Sequence, residues 1–319
     1  MLRCRACARC WRCTVSTDER GVRDFSNDHR WLSINTATVR QQRGTDWPLL
    51  DIIDACGERG IRAVAPWRDQ VAAAGLKATT QRLRTHGIEL SGYCRGGMFT
   101  YADAAGHAAA RDDNQRALDE ACELQAPCLV LVVGGLPGAL AGRAAHRDIA
   151  SARRQVSEGI AELLEQARER RMPLAIEPLH PMYAADRACI NTLEQALDVC
   201  DALDNGRSGA LGVAVDLYHV WWDPKLAAQI ERAGPGAAGQ ASRLLAFHVC
   251  DWLAPTNHLL EDRGMMGDGV IDIRAIRALV EAQGFAGYSE VEIFSRANWW
   301  QRDGGEVLDT CIARHRSCV

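Results

Sequence analysis

The sequence predicts a single-domain α/β fold, an eight-stranded (β/α) barrel, and three observations lead there. From about Trp31 onward, short β-rich runs alternate with helical stretches, the pattern of βαβ units around a parallel sheet. Eight such runs can be counted, at 31–39, 61–67, 88–94, 128–134, 173–179, 211–218, 244–252 and 288–294. Eight strands with helical crossovers close into a barrel more naturally than they spread into an open sheet. The first run is also not followed by the GxGxxG turn of a dinucleotide-binding fold. A chain of 319 residues accommodates one such barrel with insertions, since the fold needs ~250.

In chain order, residues 1–27 come first and form a Cys/Arg-rich leader outside the barrel, which occupies 28–319. Cys4, Cys7, Cys10 and Cys13 make a CxxCxxCxxC run with arginines between them. Thiolates at that spacing can share zinc or an iron–sulfur cluster. Without apolar periodicity or a second half-site, the run is expected to be a disordered leader instead. Pro48 opens a helix that fades at Gly57 and Gly60, Thr192 with Gln195 makes a capping box, and Asp223-Pro224 offers an N-cap followed by proline at N1. Asp272 caps a helix whose Ile273, Ile276, Leu279 and Val280 form one apolar stripe. Segments 99–112 and 134–146, rich in Ala and Gly, read as long βα loops on the catalytic face, and 233–241 as a further loop.

Composition excludes several classes. With 37 basic and 41 acidic residues the net charge is −4, so there is no electrostatic footprint for nucleic acid. No apolar run approaches the ~18–20 residues that cross a bilayer, and the N-terminus lacks the apolar core of a secretory signal. A cytoplasmic protein is expected. The other nine of the 13 cysteines are scattered through predicted helices, strands and the tail, as small buried hydrophobes in a reducing compartment would be.

The chemistry is concentrated in the second half. Strand five reads Leu174-Ala175-Ile176-Glu177, strand six Val213-Ala214-Val215-Asp216, strand seven Leu245-Ala246-Phe247-His248, and strand eight Glu290-Val291-Glu292. Side chains alternate faces along a strand. Ala175, Ala214 and Ala246 therefore share the inward direction with Glu177, Asp216 and His248, while Ile176, Val215 and Phe247 face the helices. The four residues Glu177, Asp216, His248 and Glu292 converge at the C-terminal mouth, where barrel enzymes keep their sites. Three carboxylates and an imidazole suit an octahedral Mn, Mg or Co ion with two positions left over. Glu290 shares a face with Glu292 but lies deeper, as a partner for a ligand. His219, three residues after Asp216, and Arg263, at the head of a glycine-punctuated loop, are within reach; those glycines are expected to let backbone approach a ligand.

Residues 30–300 resemble the xylose-isomerase-like barrel superfamily of sugar-phosphate isomerases and epimerases, on the stretches Ala175-Ile176-Glu177-Pro178-Leu179-His180, Val215-Asp216-Leu217-Tyr218-His219, Phe247-His248-Val249-Cys250-Asp251, Arg263 through Gly269, and Gly287 through Phe294. The resemblance implies one divalent metal ion (Mn, Mg, Co or Zn) held by Glu177, Asp216, His248 and Glu292. It implies substrate contacts from His219 and Arg263, a small carbohydrate substrate, and a homodimer. Glu177 and Glu292 would then be the acid/base pair of an isomerase or epimerase working through an enediolate. Asp251 is a candidate anchor for the ligands. His180 and Trp252 are expected to contact the substrate, and Arg95 at the mouth is a candidate to recognise a phosphate or carboxylate. Trp67, Trp221, Trp222, Trp299 and Trp300 fall near strand ends where an indole could stack on a sugar, but each is individually expected to pack helices onto strands.

The resemblance does not choose the reaction. A dehydratase of the inosose type would use the same metal and expel a hydroxyl, and a non-catalytic sugar-binding barrel is the reading from a different class. The missing ligands argue against the nuclease branch. Strand three ends Gly92-Tyr93-Cys94-Arg95 and strand four Val132-Val133-Gly134-Gly135, with no histidine for a three-metal site.

Overall fold

The computed structural model describes residues 22–236 and 240–319. Its barrel strands are β1 (Leu32–Asn35), β2 (Ala63–Ala65), β3 (Glu89–Leu90 and, after a break, Tyr93–Gly97), β4 (Leu129–Val132), β5 (Leu174–Ile176), β6 (Leu211–Asp216), β7 (Leu244–Val249) and β8 (Ser289–Val291). All neighbours pair in parallel, in the order β3-β2-β1-β8-β7-β6-β5-β4-β3, so both ends of the sheet are pieces of β3. The gap is bridged where Ser91 N–H reaches Val64 O at 3.1 Å and Cys94 N–H reaches Pro66 O at 3.3 Å. The predicted α/β barrel is therefore present and nearly closed.

Several observed strands are shorter than the predicted runs, and in β1 a polar side chain ends the strand. Asn35 accepts from Ala37 N–H and turns the end of β1 into a short 3-10 helix at Thr36–Val39. Such local capping competes with the ladder.

Helices α1 (Leu49–Glu58), α2 (Arg68–Ala74), α3 (Leu76–His86), α4 (Ala104–Glu123), α5 (Ile149–Arg170), α6 (Leu193–Leu203), α7 (Leu217–Val220), α8 (Leu226–Ala233), α9 (Ile273–Ala282) and α10 (Gly304–Cys318) follow the strands. Thr192 caps α6 through Gln195 N–H, while the reciprocal bond from Gln195 lands on Asn191 N–H, one residue earlier than a capping box requires. Asp223 does not cap α8. It accepts from Lys225 N–H in a turn, and the helix starts at Leu226. In α9 the predicted stripe holds for Ile273, Ile276 and Val280, each worth about 1.5–3 kcal/mol when buried. Leu279 is exposed, and the aliphatic stem of Arg277 takes the remaining buried position. Of segment 99–112, residues from Ala104 onward belong to α4, started by Asp103 capping Gly106 N–H. Segment 134–146 is a loop with one short 3-10 turn.

The inward/outward parity is as read from the sequence. Ala175, Ala214 and Ala246 lie inside the barrel with Cys94, Cys128 and Val130, and Ile176, Val215 and Phe247 pack toward the helices. Residues 22–27, grouped with the leader on sequence, pack on the barrel: Phe25 is buried and stacks on His315 of α10 at 4.5 Å, and Arg23 pairs with Glu281 of α9 at 2.9 Å. The CxxCxxCxxC run lies outside the described residues. The nine described cysteines are all free and mostly buried. Among the described residues no helix is long and apolar enough to cross a membrane.

Candidate metal centre

Register across β6, β7 and β8 assembles the site. His248 stands opposite Asp216 on one side and Glu290 on the other. Glu292 follows two residues beyond Glu290, its N–H bonded to Val249 O, and Glu177 continues β5 with its N–H on Leu131 O. The four side chains of Glu177, Asp216, His248 and Glu292 are buried and each offers a donor atom within 4.8 Å of the others. His248 Nδ1 is 2.9 Å from Glu177 Oε1, 3.8 Å from Glu292 Oε2 and 4.0 Å from Asp216 Oδ2. Donors ~2.1–2.3 Å from one cation lie about 3 Å apart when adjacent and just over 4 Å apart when opposed. The observed spacings are those of a single coordination shell.

The charge balance points the same way. Burial would raise the Asp216 pKa, but Arg263, His219 and His248 outweigh it and hold the carboxyl well below the usual range. Glu292 moves up, first through burial and then through the nearby Glu177 and Asp216 carboxylates, against the pull of Arg263. Three buried carboxylates therefore share too little positive charge, which a divalent cation would supply. Burial would lower the His248 pKa; Glu290 and Glu177 reverse this and raise it. Its Nε2 makes no hydrogen bond among the described residues and lies 3.5 Å from Glu290 Oε1. An imidazole binding a cation through Nδ1 would present its N–H to that carboxylate. Glu290 is held in turn by Asn35 Nδ2 at 2.8 Å and Ser91 Oγ at 2.7 Å.

Arg263 is buried. It donates to Asp216 Oδ2 and Glu292 Oε2, both at 3.1 Å, and stacks on Tyr218. Its Nη2 is 3.1 Å from His219 Nε2. Burial drops the His219 pKa to about 3, so the ring is neutral; its Nδ1 accepts from His180 N–H. Asp251 does not touch the metal-site residues. It accepts from Trp252, Gly267 and Ile271 N–H and so fastens the loop that carries Arg263. Gly269 serves the same closure: a Cβ there would sit 2.1 Å from Trp252 O. At that position the missing side chain lets the loop approach its own anchor rather than a ligand.

A cavity opens over the cluster, lined by Glu177, His219, Arg263 and Glu292 together with Trp67, Cys94, Arg95, Met98, Tyr183, Arg187 and Phe294, among others. His180 and Trp252 do not line it. They stack on each other at 5.0 Å, with Trp252 against Tyr218 at 4.6 Å, so they buttress the wall from behind. Of the indoles named from sequence only Trp67 reaches the cavity, fixed by Nε1–H to Asn35 Oδ1 at 2.7 Å. Sequence reasoning missed Arg187, Tyr183 and Asn35. Only Asn35 left a signal, a polar residue on the inward parity of β1 next to Ser33.

A parallel barrel with carboxylates and an imidazole gathered around one point at its C-terminal mouth is an arrangement that can hold one divalent cation. Residues 52–311 match the family described as xylose isomerase-like TIM barrel, and the chain belongs to it. It is similar to the crystal structure of protein SMc04130 from Sinorhizobium meliloti 1021, at 55% identity over 91% of this chain and 99% of that one, TM-score 0.83. The fold is shared at 18% identity with the IOLI protein, solved with a binding zinc atom (88% of this chain, 94% of that one, TM-score 0.71). It is shared at 16% identity with D-psicose 3-epimerase, solved in the presence of D-fructose (90% and 96%, TM-score 0.66). No curated protein matches the chain by sequence.

Proposed function

We propose that this barrel is a divalent-metal-dependent isomerase or epimerase of a small keto-sugar. One observation carries the reading: Glu177 and Glu292 reach the same cavity from β5 and β8, three strands apart around the barrel, with a cation-sized cluster of donors between them. Glu177, Asp216, His248 and Glu292 would hold the ion, which when bound supplies Lewis-acid polarisation of a carbonyl.

The chain's own groups do the rest. One glutamate takes the proton from the carbon beside the carbonyl. The other returns a proton to the opposite face for epimerisation, or to the neighbouring carbon for isomerisation. Arg263 places a permanent charge next to the negative charge that develops on the substrate oxygen. Trp67, Phe294 and Met98 on the wall exclude water from it.

The test is a panel of keto-sugars incubated in deuterated water with added Mn. Deuterium should enter one carbon of a turned-over sugar, and Glu177→Gln and Glu292→Gln should each lower the rate at least ~100-fold in folded protein. Exchange at normal rates in either variant would reject the assignment. A product lighter by one water would replace the isomerase with a lyase.

A further inference from the structure

Two guanidinium groups share the cavity with the metal cluster and have no work to do inside the fold. Arg95, in β3, and Arg187, in the loop after β5, both line it. Neither side chain makes a hydrogen bond or ion pair to any described residue; the contact of Arg187 is with the Tyr183 ring at 5.9 Å. Nearby cations are otherwise matched: Arg68 is bonded to Asp113 and Glu120, and Arg263 to Asp216 and Glu292. Asp113, the acid that acts on Arg95 at a distance, is already held by Arg68 and Arg116. Burial and the like charge of Arg187 both work against the Arg95 cation. Two half-buried, mutually repelling guanidiniums are expensive to keep unpaired unless an anion completes them.

We propose that Arg95 and Arg187 bind an anionic group of the substrate, a phosphate or a carboxylate, at the end of the molecule away from the glutamate pair. Forked N–H donors suit either oxyanion. The cavity would then hold a keto-sugar by two handles, its carbonyl end at the cluster and its charged end at the arginines. This rests on the reading of the site as a keto-sugar site, but its test needs binding alone.

Calorimetric titration of the Mn-loaded full chain with D-fructose, D-fructose 6-phosphate and 5-keto-D-gluconate compares a neutral ketose with phosphate- and carboxylate-bearing ones. At least one charged probe should bind tenfold or more tightly than D-fructose. Arg95→Gln and Arg187→Gln should each remove most of that preference and leave D-fructose binding unchanged, while Arg→Lys retains part of it. Which charged probe wins identifies the group. Equal binding of all three, no measurable binding of either charged probe, or a preference that survives in the double Gln variant would overturn the proposal. Because turnover is not measured, a preference without proton exchange would remove only the isomerase reading. Exchange on neutral ketoses without a preference would remove only this one.

Discussion

Arg263→Met keeps an unbranched stem against Tyr218 and Phe294 and removes the guanidinium that lies between Asp216 and Glu292. Its two charge-assisted bonds, at 3.1 Å each, are worth about 1.5–3 kcal/mol apiece. Breaking a buried ion pair from one side costs ~3–5 kcal/mol. A stability loss of about 3–5 kcal/mol is therefore expected in chelator, read as a lower urea midpoint with an unchanged slope. Addition of Mn should return more stability to the variant than to the wild type, because a cation at the cluster replaces the charge that the variant lacks. Binding to the native state alone contributes ~2.7 kcal/mol at a hundredfold excess over Kd. A loss below ~1 kcal/mol, or equal Mn increments in the two proteins, would refute the argument that Arg263 and the ion neutralise the same carboxylates.

Other consequences follow from individual contacts. Asp251→Ala removes the acceptor for three loop N–H groups and should cost about 3 kcal/mol in denaturation, with faster amide exchange over 263–271. Gly97→Ala places a Cβ 2.0 Å from Val132 O at φ +111°. It should destabilise by roughly 2 kcal/mol or more, measurable as a lower melting temperature. His315 is buried against Phe25, and burial with Arg277, His29 and Arg23 lowers its pKa to about 3. The unfolded chain binds that proton from pH ~6.5 down. The native advantage is therefore complete above 6.5 and is lost as pH falls toward 3, by on the order of 5 kcal/mol. His315→Phe should flatten the stability curve over that interval.

Much of the site was readable because β-strand periodicity is rigid. Once Glu177, Asp216 and His248 are known to end three consecutive strands, each with alanine two residues before, their common direction follows from the pleat alone. The choice of Glu292 over Glu290 rested on depth, and the structure puts Glu292 within the donor cluster and Glu290 behind His248. Loop side chains followed no such rule. His180 and Trp252 lie next to site residues in sequence yet turn into each other. Arg187 stands ten residues past Glu177 with nothing to mark it, and still lines the cavity. Asp251 was expected to anchor the metal ligands; its partners are instead backbone N–H groups up to Ile271, which only the path of the loop could bring to it.

Taken alone, the amino-acid order determined the barrel, the inward row of small residues and the four groups that meet at its mouth, since all of these repeat at a two-residue period and each is set by near neighbours. Tertiary structure decided which charges are paired. That Arg263 sits between two carboxylates while Arg95 and Arg187 line a shared cavity without bonding to any carboxylate depends on where β3 and the loops after β5 and β7 land. Those loops are placed by packing among segments tens of residues apart, with no period to announce it.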